Sequence, residues 1–164
     1  MSLDRRGFLG ALNVLLDKSK EASLPIRPPG SGRESDFSAC VACDAPCVAK
    51  CGEGIILLDE GHTPVIDFSK GGCTYCGECI TACPHAVLVS GETPPNMDIK
   101  IEINPLECLA WNRTICSFCK DPCQDKAILF LGLFRPEIEA EKCTQCGFCV
   151  GICPTQAVEI HVKG

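Results

Sequence analysis

The cysteines of this chain constrain its fold more than any other feature of the sequence. Sixteen of its 164 residues are cysteine, which is far above ordinary usage. Aromatic residues are few, so the chain cannot build a large close-packed core and needs covalent or metal cross-links to fold. The cysteines form four groups of four, namely Cys40/Cys43/Cys47/Cys51, Cys73/Cys76/Cys79/Cys83, Cys108/Cys116/Cys119/Cys123 and Cys143/Cys146/Cys149/Cys153.

The second and fourth groups have the same regular spacing. They read CTYCGECITACP and CTQCGFCVGICP, which is C-x2-C-x2-C-x3-C-P in both cases. That run is the bacterial ferredoxin signature for [4Fe-4S] ligation, in which the first three thiolates bind one cluster and the fourth binds another. The spacing therefore predicts iron–sulfur clusters that occur in pairs.

Two other uses of cysteine fit this spacing less well. Zinc sites usually separate two Cys-x2-Cys pairs by a dozen or more residues, whereas these runs are continuous. Disulfides would require a secreted chain, and closely spaced cysteines have poor geometry for bridging their neighbours.

The first and third groups depart from the regular run. The first has one extra residue between its second and third cysteines, and the third, CLAWNRTICSFCKDPC, has a first gap of seven residues. Departures confined to alternate groups indicate duplication of a two-group unit. The sequence thus predicts four [4Fe-4S] clusters held by all sixteen cysteines.

The segments between the groups predict an α+β fold of two tandem bacterial-type 2[4Fe-4S] ferredoxin-like modules, preceded by an N-terminal helical or extended segment. Each module is expected to run strand, cysteine loop, short helix, hairpin, cysteine loop, short helix, strand. Strands are expected at 86–90 and 157–162, and another at 98–103 with Ile99, Ile101 and Ile103 on one face. The expected boundaries are 1–35 for the N-terminal segment, 36–95 for the first module and 96–164 for the second.

Two assignments of ligands to clusters are open. Sequential pairing joins the first group with the second and the third with the fourth, whereas nested pairing joins the first with the fourth and the second with the third. The sequential assignment is favoured because the proline-bearing linker falls in the middle of the chain. Its ligand sets are Cys40, Cys43, Cys47 with Cys83; Cys73, Cys76, Cys79 with Cys51; Cys108, Cys116, Cys119 with Cys153; and Cys143, Cys146, Cys149 with Cys123.

Charge and composition exclude several functions. The formal net charge is −6, and residues 36–164 alone carry −8, which disfavours binding to nucleic acid. No run of about twenty apolar residues exists to span a membrane. No group of residues resembles a catalytic site, so we expect a protein that is not an enzyme. Trp111, inside the third group, is expected to shield a cluster from water or to contact a partner.

The chain resembles the NapF-type ferredoxins, which are encoded with periplasmic nitrate reductases. The resemblance rests on Arg5-Arg6-Gly7, the segment Ile26-Arg27-Pro28-Pro29, and the four cysteine groups with a long third gap that begins Cys-Leu-Ala. It implies a cytoplasmic protein that binds the catalytic molybdenum subunit of the nitrate reductase before export and helps to assemble its iron–sulfur cluster. The alternatives are an electron carrier that serves a redox partner and a structural adaptor folded by its clusters.

The paired arginines near the start also raise the question of export. Arg5-Arg6-Gly7-Phe8-Leu9 resembles a twin-arginine signal. The apolar stretch that follows is short and interrupted by Asn13, and no Ala-x-Ala cleavage site precedes Pro25. We therefore expect a retained amphipathic helix and a cytoplasmic location.

Overall fold

The structure is a computed structural model that describes residues 24–32, 35–91 and 97–163. The expected N-terminal helix, with its paired arginines, lies outside the described residues. The described helices are one 3₁₀ turn at Phe37–Cys40 and three short α-helices: α1 at Pro46–Ala49, α2 at Glu78–Thr81 and α3 at Phe148–Gly151. The described strands are β1 at Ile56–Leu58, β2 at Pro64–Ile66, β3 at Ile99–Ile103, β4 at Ile128–Leu131, β5 at Phe134–Ile138 and β6 at Val158–Val162.

The strands pair as three antiparallel two-stranded sheets. β1 pairs with β2 and β4 with β5, each as a hairpin between two cysteine groups. In the first hairpin, the Asp59 carboxylate closes the turn by accepting hydrogen bonds from the Thr63 amide at 2.8 Å and the Thr63 hydroxyl at 2.7 Å. Both hairpins lie where the sequence predicts them.

The third sheet joins distant parts of the second half. β3 pairs with β6 in the register Ile99 with Val162 and Ile103 with Val158. Ile99 and Ile101 are buried and Ile103 is half-buried, while Lys100 and Glu102 are exposed. The expected alternation along β3 is therefore confirmed.

The predicted strand at 86–90 is wrong. Its partner would have to be the chain before the first cysteine group, as β3 is the partner of β6 in the second half. That segment contains Pro25, Pro28 and Pro29, which lack the amide hydrogens that a strand ladder needs. Between the described parts of the two segments, the remaining hydrogen bonds include one of 2.8 Å from the Val89 amide to the Gly30 carbonyl and one of 3.2 Å from the Ser35 hydroxyl to the Val87 carbonyl.

The helix expected after the third cysteine loop is also absent from the described residues 105–126. In its place are turns, with hydrogen bonds from the Lys120 amide to the Ser117 carbonyl and from the Cys123 amide to the Lys120 carbonyl. The position of proline explains the difference. Pro46 occupies the first position of α1, where an amide hydrogen is not needed, whereas Pro122 directly precedes the fourth cysteine and would fall inside a helix.

One apolar core runs through both halves of the described chain. Ile55 and Phe68 from the first half and Ile99 and Ile128 from the second are all at most 3 % exposed and belong to one cluster. The halves therefore pack directly against each other. In the described residues, no helix is long and apolar enough to cross a membrane.

Candidate metal centres

The structure gathers the cysteines into four sets, each drawn from two groups. Three of these sets line a cavity: Cys40, Cys43, Cys47 and Cys83 line one, Cys51, Cys73, Cys76 and Cys79 a second, and Cys123, Cys143, Cys146 and Cys149 another. We call them the first, second and fourth sites, after the group that contributes three thiols to each.

The remaining cysteines form the third site. Cys108 is buried, and Cys116 and Cys153 pack against the small apolar cluster around it. Burial raises the pKa of the Cys119 thiol to about 11, and the neighbouring sulfurs of Cys108 and Cys116, and then of Cys153, add to the increase. All four sets have the membership of the sequential arrangement. Their assignment as cluster ligands stays a prediction.

Short helices explain how one group can serve two sites. Cys79 lies in α2 and Cys83 follows it by four residues, so the backbone turns once between them. Cys79 faces the second site and Cys83 faces the first. Cys149 in α3 and the following Cys153 have the same relationship in the second half, at the fourth and third sites.

The chain adopts the same conformation after the last cysteine of every group. The residue three positions on has a positive φ in each case: Gly54 at 64°, Ala86 at 52°, Lys126 at 51° and Gln156 at 55°. In the third and fourth groups, the amide of the following residue then points back to the cysteine sulfur. The irregular first and third groups share the positive φ with the regular ones, so the same backbone position is left-handed after all four groups.

The returning amides donate hydrogen bonds to cysteine sulfur. The Ala127 amide lies 3.3 Å from Cys123 Sγ, and the Ala157 amide lies 3.2 Å from Cys153 Sγ. At Cys153, burial acts to raise the thiol pKa, but the hydrogen bonds from Thr155 and Ala157 together outweigh it and the pKa is lowered. Amide donors of this kind stabilise thiolate and tune a bound iron–sulfur cluster.

Sequence reasoning missed this repeated turn, although a signal for it exists. In every group the fourth and fifth residues after the last cysteine are apolar and buried. They are Ile55-Ile56, Val87-Leu88, Ala127-Ile128 and Ala157-Val158.

Among the remaining cysteines, every thiol whose pKa departs clearly from its ordinary value has that pKa raised by burial. The pKa of Cys79 rises to about 11 and that of Cys149 to about 12, in both cases mainly through burial and then through neighbouring cysteines. Sulfurs in such surroundings are not stable as free thiolates, so each would need cationic iron to hold its charge.

The number and type of donors fit a four-iron cluster. Each site brings together four thiols, the ligand set of a [4Fe-4S] cubane. In the described ranges, no group of three or more Cys, His, Asp or Glu side chains is arranged to hold a single metal ion.

Trp111 packs beside the third site. Its indole N–H donates a hydrogen bond of 3.1 Å to the Pro136 carbonyl, and the Arg135 guanidinium lies 5.6 Å from its ring centroid. The ring also packs against the small group of buried apolar residues that contains Cys108 and Ala110. These contacts favour the expected role of a shield for the third site.

The comparisons with known proteins agree with the regular groups. The 4Fe-4S binding domain family matches residues 66–89 and 136–159, which contain the second and fourth cysteine groups. The chain therefore contains two 4Fe-4S binding domains.

Curated relatives match nearly the whole chain. The ferredoxin-type protein NapF of Escherichia coli (strain K12) is 33% identical over 88% of this chain and 90% of its own length. NapF of Haemophilus influenzae is 32% identical over 95% of this chain and 90% of its own. The methylamine utilization ferredoxin-type protein MauM of Methylobacillus flagellatus is 29% identical over 91% of this chain and 72% of its own.

Proposed function

Because the chain belongs to the NapF family of ferredoxin-type proteins, we propose that it carries four [4Fe-4S] clusters and assists the maturation of the catalytic subunit of a periplasmic nitrate reductase. The observation that supports four clusters, and not only the two of the matched domains, is the arrangement of sixteen thiols as four sets of four. The protein is not an enzyme in this proposal.

Each half of the chain then acts as a two-cluster ferredoxin-like module. Residues 36–95 supply the first and second sites, and residues 96–164 supply the third and fourth. Cys40, Cys43 and Cys47 with Cys83, and Cys73, Cys76 and Cys79 with Cys51, are the ligands in the first module. Cys108, Cys116 and Cys119 with Cys153, and Cys143, Cys146 and Cys149 with Cys123, are the ligands in the second.

The residues around these sites hold the thiolates and keep water away. Amide groups at Ala127 and Ala157 stabilise sulfur charge, and Trp111 covers the third site. When bound, the clusters would supply one-electron redox chemistry, and in this proposal they would serve the assembly of the partner's own cluster. The partner is the catalytic molybdenum subunit, and the location is the cytoplasm, where that subunit is assembled before export.

Deletion of the gene tests the maturation role. The catalytic subunit isolated from the deletion strain should contain less than its full complement of cluster iron, and a plasmid-borne copy should restore it. A plasmid copy with Cys76→Ala and Cys146→Ala serves as the control, because it should not restore the iron. A catalytic subunit with full iron in the deletion strain would contradict the proposal.

Electron transfer is the second candidate, and the contiguous packing of the two halves favours it. Single-electron transfer between clusters requires sites that lie close together, and halves in direct contact are compatible with that. Stopped-flow mixing of the reduced protein with the catalytic subunit distinguishes the two roles. Re-oxidation at turnover rates indicates a carrier, whereas no exchange on that timescale, with iron loss in the deletion strain, indicates a maturation factor.

A further inference from the structure

We propose that the four sites form one linear series in the order first, second, fourth, third. The two halves meet at a junction made by the cysteine loops 73–79 and 143–149, across which single electrons pass from one half to the other. This inference rests on the proposed function, because it assumes a cluster at every site.

Sites within each half are neighbours because they share short backbone segments. Cys79 and Cys83 are four residues apart across the end of α2, and Cys149 and Cys153 are four apart across the end of α3. Four residues of helix advance about 6 Å. The first site therefore adjoins the second, and the third adjoins the fourth.

The junction is formed by direct contacts between the second and fourth cysteine loops. The Cys73 amide donates a hydrogen bond of 2.6 Å to the Cys146 carbonyl. The Tyr75 hydroxyl donates another of 2.6 Å to the Thr144 carbonyl. A ligand of the second site is thus one hydrogen bond away from a ligand of the fourth.

Close packing holds the junction together. Gly147 is the N-cap residue that precedes α3, with φ of 80°, and a Cβ atom there would overlap the Phe68 ring. On the opposite side, a Cβ atom at Gly72 would lie 2.6 Å from the Phe148 amide nitrogen. A Cβ atom at either glycine would force the neighbouring ring or backbone to shift, so the two halves are in direct contact at both positions.

The order follows from these three neighbour relations. The second site touches the first through α2 and the fourth through the junction, and the fourth touches the third through α3. The first and third sites are therefore the ends of the series. Clusters bound at these sites would pass one electron at a time, the donor losing it and the acceptor gaining it with no bond formed or broken, and an external reductant such as dithionite would supply the first electron.

Two-site variants of the full chain test the order. Cys43→Ala with Cys116→Ala should leave the second and fourth sites loaded, and Cys76→Ala with Cys146→Ala should leave the first and third. Each variant should hold about eight iron atoms. After reduction by dithionite, electron paramagnetic resonance should show spin coupling between clusters in the first variant and uncoupled signals in the second.

Spin coupling in the variant with Cys76→Ala and Cys146→Ala would overturn the order. So would the absence of spin coupling in the loaded variant with Cys43→Ala and Cys116→Ala. A failure of the proposed function looks different, because the intact chain would itself contain about eight iron atoms instead of about sixteen.

A glycine pair tests the junction with every ligand in place. Gly147→Ala places a Cβ atom against the Phe68 ring of the other half, whereas Gly77→Ala has almost the same backbone strain, with φ of 78°, and its Cβ would meet nothing within 4 Å. At equal iron content per chain, Gly147→Ala should lose spin coupling relative to Gly77→Ala. Identical spectra from the two variants would overturn the proposed junction.

Discussion

The Tyr75 hydroxyl of the second cysteine loop donates a hydrogen bond of 2.6 Å to the Thr144 carbonyl of the fourth. Burial raises the pKa of this hydroxyl well above its ordinary value, and the nearby sulfur of Cys73 adds to the increase, so the group stays a donor at all physiological pH values. A single side chain therefore ties together two loops that are 69 residues apart in sequence.

Removal of that hydroxyl should weaken the packing of the two halves. Tyr75→Phe keeps the ring and leaves the Thr144 carbonyl without its partner, which costs about 1 kcal/mol. We expect faster loss of visible cluster absorbance in denaturant, with an unchanged initial iron content. Tyr75→Leu, which also removes ring packing, should lose absorbance faster still. If Tyr75→Phe loses cluster absorbance no faster than the parent chain, the hydrogen bond to the Thr144 carbonyl does not contribute to stability.

The turn after each cysteine group offers a stabilising substitution. Ala86 has φ of 52°, a left-handed conformation that costs a residue with a side chain about 1 kcal/mol. Ala86→Gly should therefore raise the resistance of the loaded protein to thermal cluster loss. Ala82→Gly is the matched control, because Ala82 has a right-handed φ of −80° and glycine there should destabilise. The same direction of change in both variants would contradict the assigned backbone conformations.

The position of Trp111 beside the third site predicts that its removal speeds the loss of iron from that site. Trp111→Leu removes the hydrogen bond to the Pro136 carbonyl and uncovers the buried apolar residues around Cys108 at the third site. On exposure to air, this variant should lose about four iron atoms faster than the parent chain does. Phe118→Leu is the control, since Phe118 lies beside Cys119 but is 54% exposed and should protect nothing. Equal rates of iron loss in the two variants would remove the shielding role.

The hydrogen bonds of Asp59 in the first hairpin turn predict that the stability of the fold depends on pH. Hydrogen bonds from the Thr63 hydroxyl and amide, and the charge of Arg27, lower the pKa of the Asp59 carboxyl. Because its folded pKa lies below the unfolded one, the group stabilises the fold above about pH 4, and this contribution disappears as the pH falls through the folded pKa.

Asp59→Asn should accordingly lose its clusters faster than the parent chain at pH 7. The ratio of the two rates should start to fall below about pH 4 and approach one only below the lowered folded pKa, where the parent carboxyl is also neutral. Bleaching of visible absorbance after pH jumps measures both rates. A ratio that stays constant from pH 7 to low pH would show that the ionised carboxylate is not responsible.

Local sequence patterns predicted the elements that depend on neighbouring residues. The alternation of Ile99 and Ile101 with charged residues was sufficient for β3, and cysteine spacing was sufficient for the loops around α2 and α3. The strand expected at 86–90 failed because its pairing depends on a segment far away in sequence, where Pro28 and Pro29 remove the necessary donors.

The junction could not be predicted, because nothing in either loop marks it. The threonine, tyrosine and glutamine residues inside the regular cysteine runs are compatible with many neighbours. Contacts between the halves, such as the packing of Phe68 against Gly147, accompany the hydrogen bond that joins Tyr75 to the other half. Long-range contacts of this kind depend on how complete modules fit together, and spacing within one module does not encode them.

Iron and acid-labile sulfide per chain, measured on protein prepared without oxygen, test the central claim most directly. Four sets of four thiols predict about sixteen of each per chain. A value of about eight would show that only the two regular groups carry clusters, and it would contradict the account of the first and third sites.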